Sequence, residues 1–288
     1  MNPKGIARAP DSVVAAALEY RARGMWVTPN DGKAPILDDW PNLRLDEDAI
    51  RRSFGPDHNV GVILGASGLA DLDFDDRAAV EAYRALAPPE LVGTAEFEHA
   101  GRPHLIFRAE GVQTRKFKRA DGSMLLELRG EGAQTVFPPS IHPDGLTYVW
   151  VNDADPCEVQ AERLWVISAM IATVAYAAEF WSAGSRHDLA LALAGFLARR
   201  LDERDVLAVI RAVATVATDA EVPDREAAVE TTVRRLQAGQ PVAGLPTLDS
   251  LAPDLARTLA TWWGAHTDRV EEHAQDQGKA TQPDLRVP

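Results

Sequence analysis

Gly68-Leu69-Ala70-Asp71-Leu72-Asp73-Phe74-Asp75-Asp76 alternates with a period of two, which puts Asp71, Asp73 and Asp75 on one face of a β-strand and Ala70, Leu72 and Phe74 on the other. One face reads as an acidic platform, the other as core. Same-face positions lie roughly 7 Å apart along a strand, so neighbouring carboxylates there converge on a divalent ion and repel one another without it. Hard oxygen donors suit Mg²⁺ or Mn²⁺. The plainer reading is an acidic strand end running into a solvated turn, and the flanking sequence bears on the choice.

Upstream, apolar residues recur at helical spacing from Ser12 to Arg23, Gly24 ends that helix, and Met25 to Pro29 reads as a strand before the loop Asn30 to Pro35. A second amphipathic segment, Asp46 to Phe54, precedes a strand from Val60 to Leu64. Downstream, Arg77 to Leu86 reads as a helix closed by Pro88-Pro89. Thr94 to Glu98, the turn His99 to Arg102, and Pro103 to Arg108 read as a β-hairpin with His104, Ile106 and Arg108 on one face. Leu125 to Arg129 alternates again, with Glu127 and Arg129 opposite Leu126 and Leu128. Gln134 to Phe137, the turn Pro138-Pro139-Ser140, and Thr147 to Val151 complete a strand-rich unit.

After Pro156 the strand signal gives way to Ala/Leu/Val-rich helical periodicity. The reading is α+β, with a strand-rich domain over 1–158, a connecting helix over 159–183, a small all-helical domain over 184–264 and a polar, disordered tail over 265–288. Within the helical part, Ser185 with Asp188 three residues on reads as an N-cap for a helix through Arg200. Further helices are expected at Arg204 to Ala217, Asp224 to Ala238 and Leu251 to Trp263. Trp165, Trp181, Trp262 and Trp263 fall in or beside these helices and read as packing residues.

The 288 residues are 46% hydrophobic and 25% charged, those of an ordinary soluble globular protein. Lacking a run of about twenty uncharged apolar residues and an apolar leader, the chain is expected in the cytoplasm, away from the membrane. Cys157, the single cysteine, forms no internal disulfide and no Cys-rich zinc knuckle, so no structural zinc is expected. A net charge of −13 argues against coating nucleic acid by bulk charge, while leaving room for a local basic path. Arg115-Lys116-Phe117-Lys118-Arg119 has the composition for such a path, phosphate-holding cations around a base-stacking ring; its plainer reading is a solvated loop.

The acidic strand, His104 on a hairpin strand and Glu127 on a later strand each sit opposite apolar neighbours. In-line phosphoryl transfer on two metals needs carboxylates for the ions and cations or imidazole for a triphosphate. Arg102 and Arg129 stand beside His104 and Glu127 in sequence, and guanidinium forks suit phosphate oxygens. A metal-dependent nuclease uses clustered acids too. A non-catalytic nucleotide- or DNA-binding component of replication or defence would need no such set.

Asp-Phe-Asp after an apolar strand, Gly101-Arg102-Pro103-His104-Leu105-Ile106-Phe107, Leu126-Glu127-Leu128-Arg129-Gly130-Glu131-Gly132, Val136-Phe137-Pro138-Pro139-Ser140-Ile141-His142 and Tyr148-Val149-Trp150 stand in one order. Together with Tyr20 to Pro29, Gly32-Lys33-Ala34-Pro35 and Trp40, this set resembles the bifunctional primase-polymerase domain of the archaeo-eukaryotic primase superfamily over roughly residues 12 to 151. The resemblance implies an RRM-like catalytic core. It implies a DNA primase-polymerase that adds deoxynucleotides or ribonucleotides on a single-stranded DNA template in replication, using two Mg²⁺ or Mn²⁺ ions, with a phage, plasmid or defence setting left open.

By the resemblance, Asp73 and Asp75 match the metal-binding pair and Glu127 the third metal-binding acid, a Glu where Asp is commoner. His104 matches the histidine that contacts the incoming nucleotide's phosphates, and Lys33, Arg129 and Ser140 fall at positions resembling nucleotide-contacting ones. Asp71 occupies a site where an apolar residue is usual, which leaves the pair open between Asp71/Asp73 and Asp73/Asp75, the latter preferred because Leu69 to Leu72 best fills the motif's apolar half. The helical half, with Gly184-Ser185-Arg186-His187 opening its first helix, resembles the small domain that often follows such cores. No Gly-x-x-x-x-Gly-Lys-Ser/Thr motif occurs, so unwinding would need a separate helicase.

Overall fold

The alternating stretches of the first half pair into two sheets, which a computed structural model describes together with the helices over residues 13–264; the expected tail over 265–288 lies outside the described residues. Helix α1 (Val13–Ala22) precedes β1 (Val27–Asp31), β2 (Ala34–Pro35), α2 (Glu47–Ser53) and β3 (Asn59–Ile63). The acidic strand is β4 (Leu69–Phe74), followed by α3 (Arg77–Leu86) and by the hairpin β5 (Ala95–His99) and β6 (Arg102–Arg108). Then come β7 (Arg115–Lys118), β8 (Met124–Arg129), β9 (Gln134–Phe137), β10 (Val149–Asn152) and the short β11 (Cys157–Glu158).

One sheet runs β2-β1-β3-β9 and the other β10-β5-β6-β4-β8-β7, with β11 added parallel to β6. The acidic strand is central in the larger sheet, antiparallel to β6 on one side and β8 on the other. One face of that sheet carries Ala70, Leu72, Phe74, Leu105, Phe107, Leu126 and Leu128, all buried; Phe74 packs on Tyr83 of α3 at a ring separation of 5.4 Å. The opposite face is graded along the strands. Leu69, Ala95, Phe97 and Ile106 join a hydrophobic core with Val27, Val60, Val62, Val136 and Phe137 of the smaller sheet and with Ala16, Ala17 and Tyr20 of α1. Beyond them the same face turns polar.

Two readings of the sequence are corrected here. Arg115-Lys116-Phe117-Lys118 is not a loop but an edge strand, and Phe117 is buried rather than presented for base stacking. Asp75 lies one residue past β4, where its N–H and that of Asp76 both reach the Leu125 carbonyl; Asp76 then caps α3, its carboxylate accepting the Ala78 N–H at 2.7 Å.

The described residues divide into two compact units, the first running to Ser168 apart from Arg84–Leu86 and Lys118–Ser123, the second comprising those segments and the chain from Ala169 on. Helix α4 (Ala161–Ala178) passes from one to the other; it is long and apolar enough to cross a membrane by length and composition, yet 72% of it is buried inside the fold, as in a core helix. The second unit continues with α5 (Arg186–Leu197), α6 (Glu203–Val216), α7 (Val222–Gln237), α8 (Leu245–Leu251) and a helical segment over 253–264. Ser185 precedes α5 without capping it, its hydroxyl being engaged with Ser182. The helix expected from Leu251 is broken at Ala252, because Pro253 disfavours helical geometry in the residue before it. Trp181 and Trp263 are buried, and their indole N–H groups donate to Asp219 and Thr173.

Candidate active site

Strand register brings the chemistry together. Asp73 pairs with His104 on β6 and with Glu127 on β8, while Asp71 pairs with Ile106 and Arg129. Since all these strands are antiparallel neighbours, side chains on their common face meet at one end of the sheet. Arg102 follows on the same face of β6, opposite His99 of β5.

The polar end of this face floors a cavity of about 250 Å³ lined by Asp73, Asp75, His104, Arg102 and Arg129, with Lys33, Gln134 and Thr135 from the smaller sheet and its turn and with His99, His142 and Tyr148. Of the residues singled out in the sequence, Asp73, Asp75, His104, Arg102, Arg129 and Lys33 line it. Glu127 is buried beside them through its bonds to Arg129 and Lys116. Ser140 stands apart: it is buried, and its hydroxyl accepts the Val60 N–H at 2.8 Å, tying the segment after β9 to β3.

Arg129 bridges the acids. Its Nη2 lies 2.8 Å from Asp73 Oδ2 and its Nε 3.0 Å from Glu127 Oε2. Lys116 Nζ stands 3.6 Å from the other oxygen of Glu127, so the basic run contributes one side chain to the site. Even so, negative charge is crowded: burial first, then Asp73 and Glu127, push the Asp75 carboxyl up to about 6 despite Arg129.

His104 is buried and stacked on Phe97, ring centroids 4.7 Å apart and planes 17° from parallel. Its Nε2 lies 3.5 Å from Asp73 Oδ1, and its Nδ1 lies 3.0 Å from Asp71 Oδ2. Asp71 has no solvent exposure and is not part of the cavity lining; it also accepts the Thr135 hydroxyl at 2.7 Å. Burial opposes the charge of both partners, but each stabilises the other: His104, Arg129 and Thr135 hold the Asp71 carboxyl below its ordinary range, and Asp71 and Asp73 raise His104. Ligand atoms of Asp71, Asp73 and His104 lie within 4.8 Å of one another, as do those of a second group, His99, His142 and Asp144.

Thr135 and the pair His99/His142 escaped the sequence reading. Thr135 carries no motif signal, and its role depends on β9 lying across from β4 in another sheet. His99 reads as a hairpin-turn residue and His142 as a loop residue, whereas His99 is the last residue of β5; only the fold joins them.

Compared with protein families, residues 17–162 match the one described as "Bifunctional DNA primase/polymerase, N-terminal" (Prim-Pol), just over half of the chain. No curated protein matches the sequence. The match spans every strand that lines the cavity, from β4 to β9. The chain belongs to the bifunctional DNA primase/polymerase family.

Proposed function

We propose that this protein is a template-directed nucleotidyltransferase that makes primers and extends them on single-stranded DNA in replication. In this reading Asp73, Asp75 and Glu127 hold two divalent ions, and His104, Arg129, Arg102 and Lys33 receive the triphosphate. The observation that carries it is the register, which sets Asp73 between His104 on one neighbouring strand and Glu127 on the other.

The donor set fits hard divalent ions. Asp75 is raised first by burial and then by Asp73 and Glu127, which Arg129 and His104 do not offset, and such a set of oxygen donors suits Mg²⁺ or Mn²⁺. When bound, such ions activate a 3′-hydroxyl and stabilise the pyrophosphate leaving group.

The chain's own residues orient the substrate. With Nδ1 of His104 tied to Asp71, the ring presents Nε2 on the Asp73 side, where the imidazole lines the cavity. Arg102 and Lys33 line the same cavity and offer donors to phosphate oxygens, the guanidinium as a fork and the ammonium as a point charge. Arg129 neutralises Asp73 and Glu127 and stands within reach of the same space. Burial and the nearby Asp73 push Tyr148 up to about 12, so its phenol stays a hydrogen-bond donor. Asp71 is enclosed behind His104 and positions it, which favours Asp73 and Asp75 as the metal-binding pair.

The test is synthesis on circular single-stranded DNA without a primer, with labelled nucleotides and Mn²⁺ or Mg²⁺, beside the Asp73→Ala, Asp75→Ala double variant. New labelled strands from the wild type alone support the proposal. Shortening of labelled DNA would point to a nuclease, and no product on either unprimed or primed template would point to a binding role.

A further inference from the structure

We propose that His99, His142 and Asp144 form a second metal site, distinct from the carboxylate platform, that takes a transition-metal dication of the Zn²⁺ type through two imidazole nitrogens and one carboxylate oxygen.

Two rigid turns bring the three together. His99 closes β5, and Ala100 and Gly101, with φ of 54° and 72°, reverse the chain directly into β6. His142 and Asp144 sit on the tip that follows the Ile141–Thr147 bridge. That tip is held by its own backbone: the His142 N–H donates to Leu146, the Gly145 N–H to His142, each at 2.8 Å, and the Leu146 N–H to the Asp144 carboxylate at 3.0 Å. Both arms are fixed before any ligand arrives, as a metal site requires.

The donor atoms converge, lying within 4.8 Å of one another. Asp144 Oδ2 lies 2.9 Å from His99 Nε2, and Asp144 Oδ1 lies 2.9 Å from His142 Nδ1, while the two imidazoles stack with centroids 3.9 Å apart. Nδ1 of His142 also stands 3.3 Å from the Asp144 N–H, so this nitrogen faces the Asp144 backbone as well as its carboxylate. Without an ion each ring donates a proton to the carboxylate, and a shared dication takes the place of those protons.

The donor chemistry selects the ion. Two imidazoles and a carboxylate are a zinc-type set of three protein ligands that leaves a fourth position open, whereas Mg²⁺ prefers oxygen and keeps its waters. The two sites therefore do not compete for one ion. Absence of a Cys-rich motif is no obstacle, since no thiolate is needed. His99 is buried and His142 and Asp144 are accessible, which gives an entry path. His99 and His142 also line the cavity that contains Asp73, so the open position gives onto the space assigned to the triphosphate. Metal binding itself does not depend on that assignment.

Co²⁺ is the probe, added to the full-length chain after chelator stripping and dialysis. The expected result is one saturable site with the intense visible band of low-coordinate Co²⁺, bleached by Zn²⁺. His142→Ala and Asp144→Asn, both at an exposed turn, should each weaken binding by roughly tenfold or more, with circular dichroism unchanged. The Asp73→Asn, Glu127→Gln double variant should retain the band. The proposal is overturned if the wild type shows no saturable binding, in which case the carboxylate merely accepts hydrogen bonds from two rings. It is equally overturned if both loop variants bind like the wild type, or if the platform variant loses the band.

Discussion

Asp71 and His104 are hydrogen-bonded behind the cavity, Oδ2 to Nδ1 at 3.0 Å, with the carboxylate wholly removed from solvent. The Thr135 hydroxyl, from the other sheet, anchors the same oxygen at 2.7 Å. A buried carboxylate persists in the charged state only with such partners. The bond fixes which imidazole nitrogen serves the cavity.

Replacing Asp71 separates that role from structure. Asp71→Asn keeps the shape and a hydrogen bond, and is expected to lower nucleotide incorporation by roughly 10- to 100-fold, chiefly through a higher KM for the nucleoside triphosphate. Asp71→Ala leaves His104 buried beside a missing charge and should cost about 3–5 kcal/mol of stability. Steady-state extension kinetics and denaturant unfolding check the two outcomes.

Asp75 trades stability for function. Its folded carboxyl is raised to about 6, above the ordinary carboxylate value, so above about pH 4 the group works against the folded state until that effect levels off past pH 6. In chelator at pH 7, Asp75→Asn should therefore melt above the wild type, and at pH 4 the difference should vanish. Mn²⁺ should raise the wild-type melting temperature more than the variant's, while the variant loses extension. A wild type insensitive to Mn²⁺ in thermal unfolding would remove Asp75 from the metal platform.

The helical unit carries its own acid sensitivity. Asp219 is buried, which raises its carboxyl, but Trp181, the Glu221 N–H and Arg225 together bring it down to about 2. A depressed folded value contributes stability that is complete above the unfolded value near 4 and is lost as pH falls towards 2, about 2 kcal/mol in all. Trp181 emission during urea unfolding should show that loss between pH 4 and 2 in the wild type, and a flatter profile in Asp219→Asn.

Gly130, next to Arg129, is fixed by close approach rather than by backbone conformation. A Cβ there would stand 2.1 Å from the Val112 carbonyl oxygen, which also accepts the Glu131 N–H at 2.8 Å. Gly130→Ala should destabilise the catalytic unit at the upper end of about 1–3 kcal/mol and lower extension by shifting Arg129. Thermal unfolding and extension rates measured on the same preparation test both effects.

Alternation made much of the larger sheet legible. The hairpin reading of Thr94 to Arg108 differs from the observed strands by a residue at each side of the turn, and Glu127 and Arg129 lie on the cavity face as their spacing indicated. What stayed hidden depends on pairings distant in sequence. Asp71 looks like a third platform acid until Thr135, 64 residues on, is seen to hold it. His99 and Asp144 are 45 residues apart and acquire meaning only when two hairpin tips meet. Arg115 to Lys118 misleads for a different reason, since a run of exposed cations around one buried ring is what an edge strand and a solvated loop have in common.

That edge strand has a bearing on how the protein behaves in a crowded solution. β7 is the last strand of its sheet, next to β8, the kind of border that another chain can extend. Arg115, Lys116 and Lys118 are all exposed there. Two copies approaching border to border would bring like charges together before any backbone bond formed. The basic tract of an acidic protein thus sets like charges along the border of the very sheet that carries the acids.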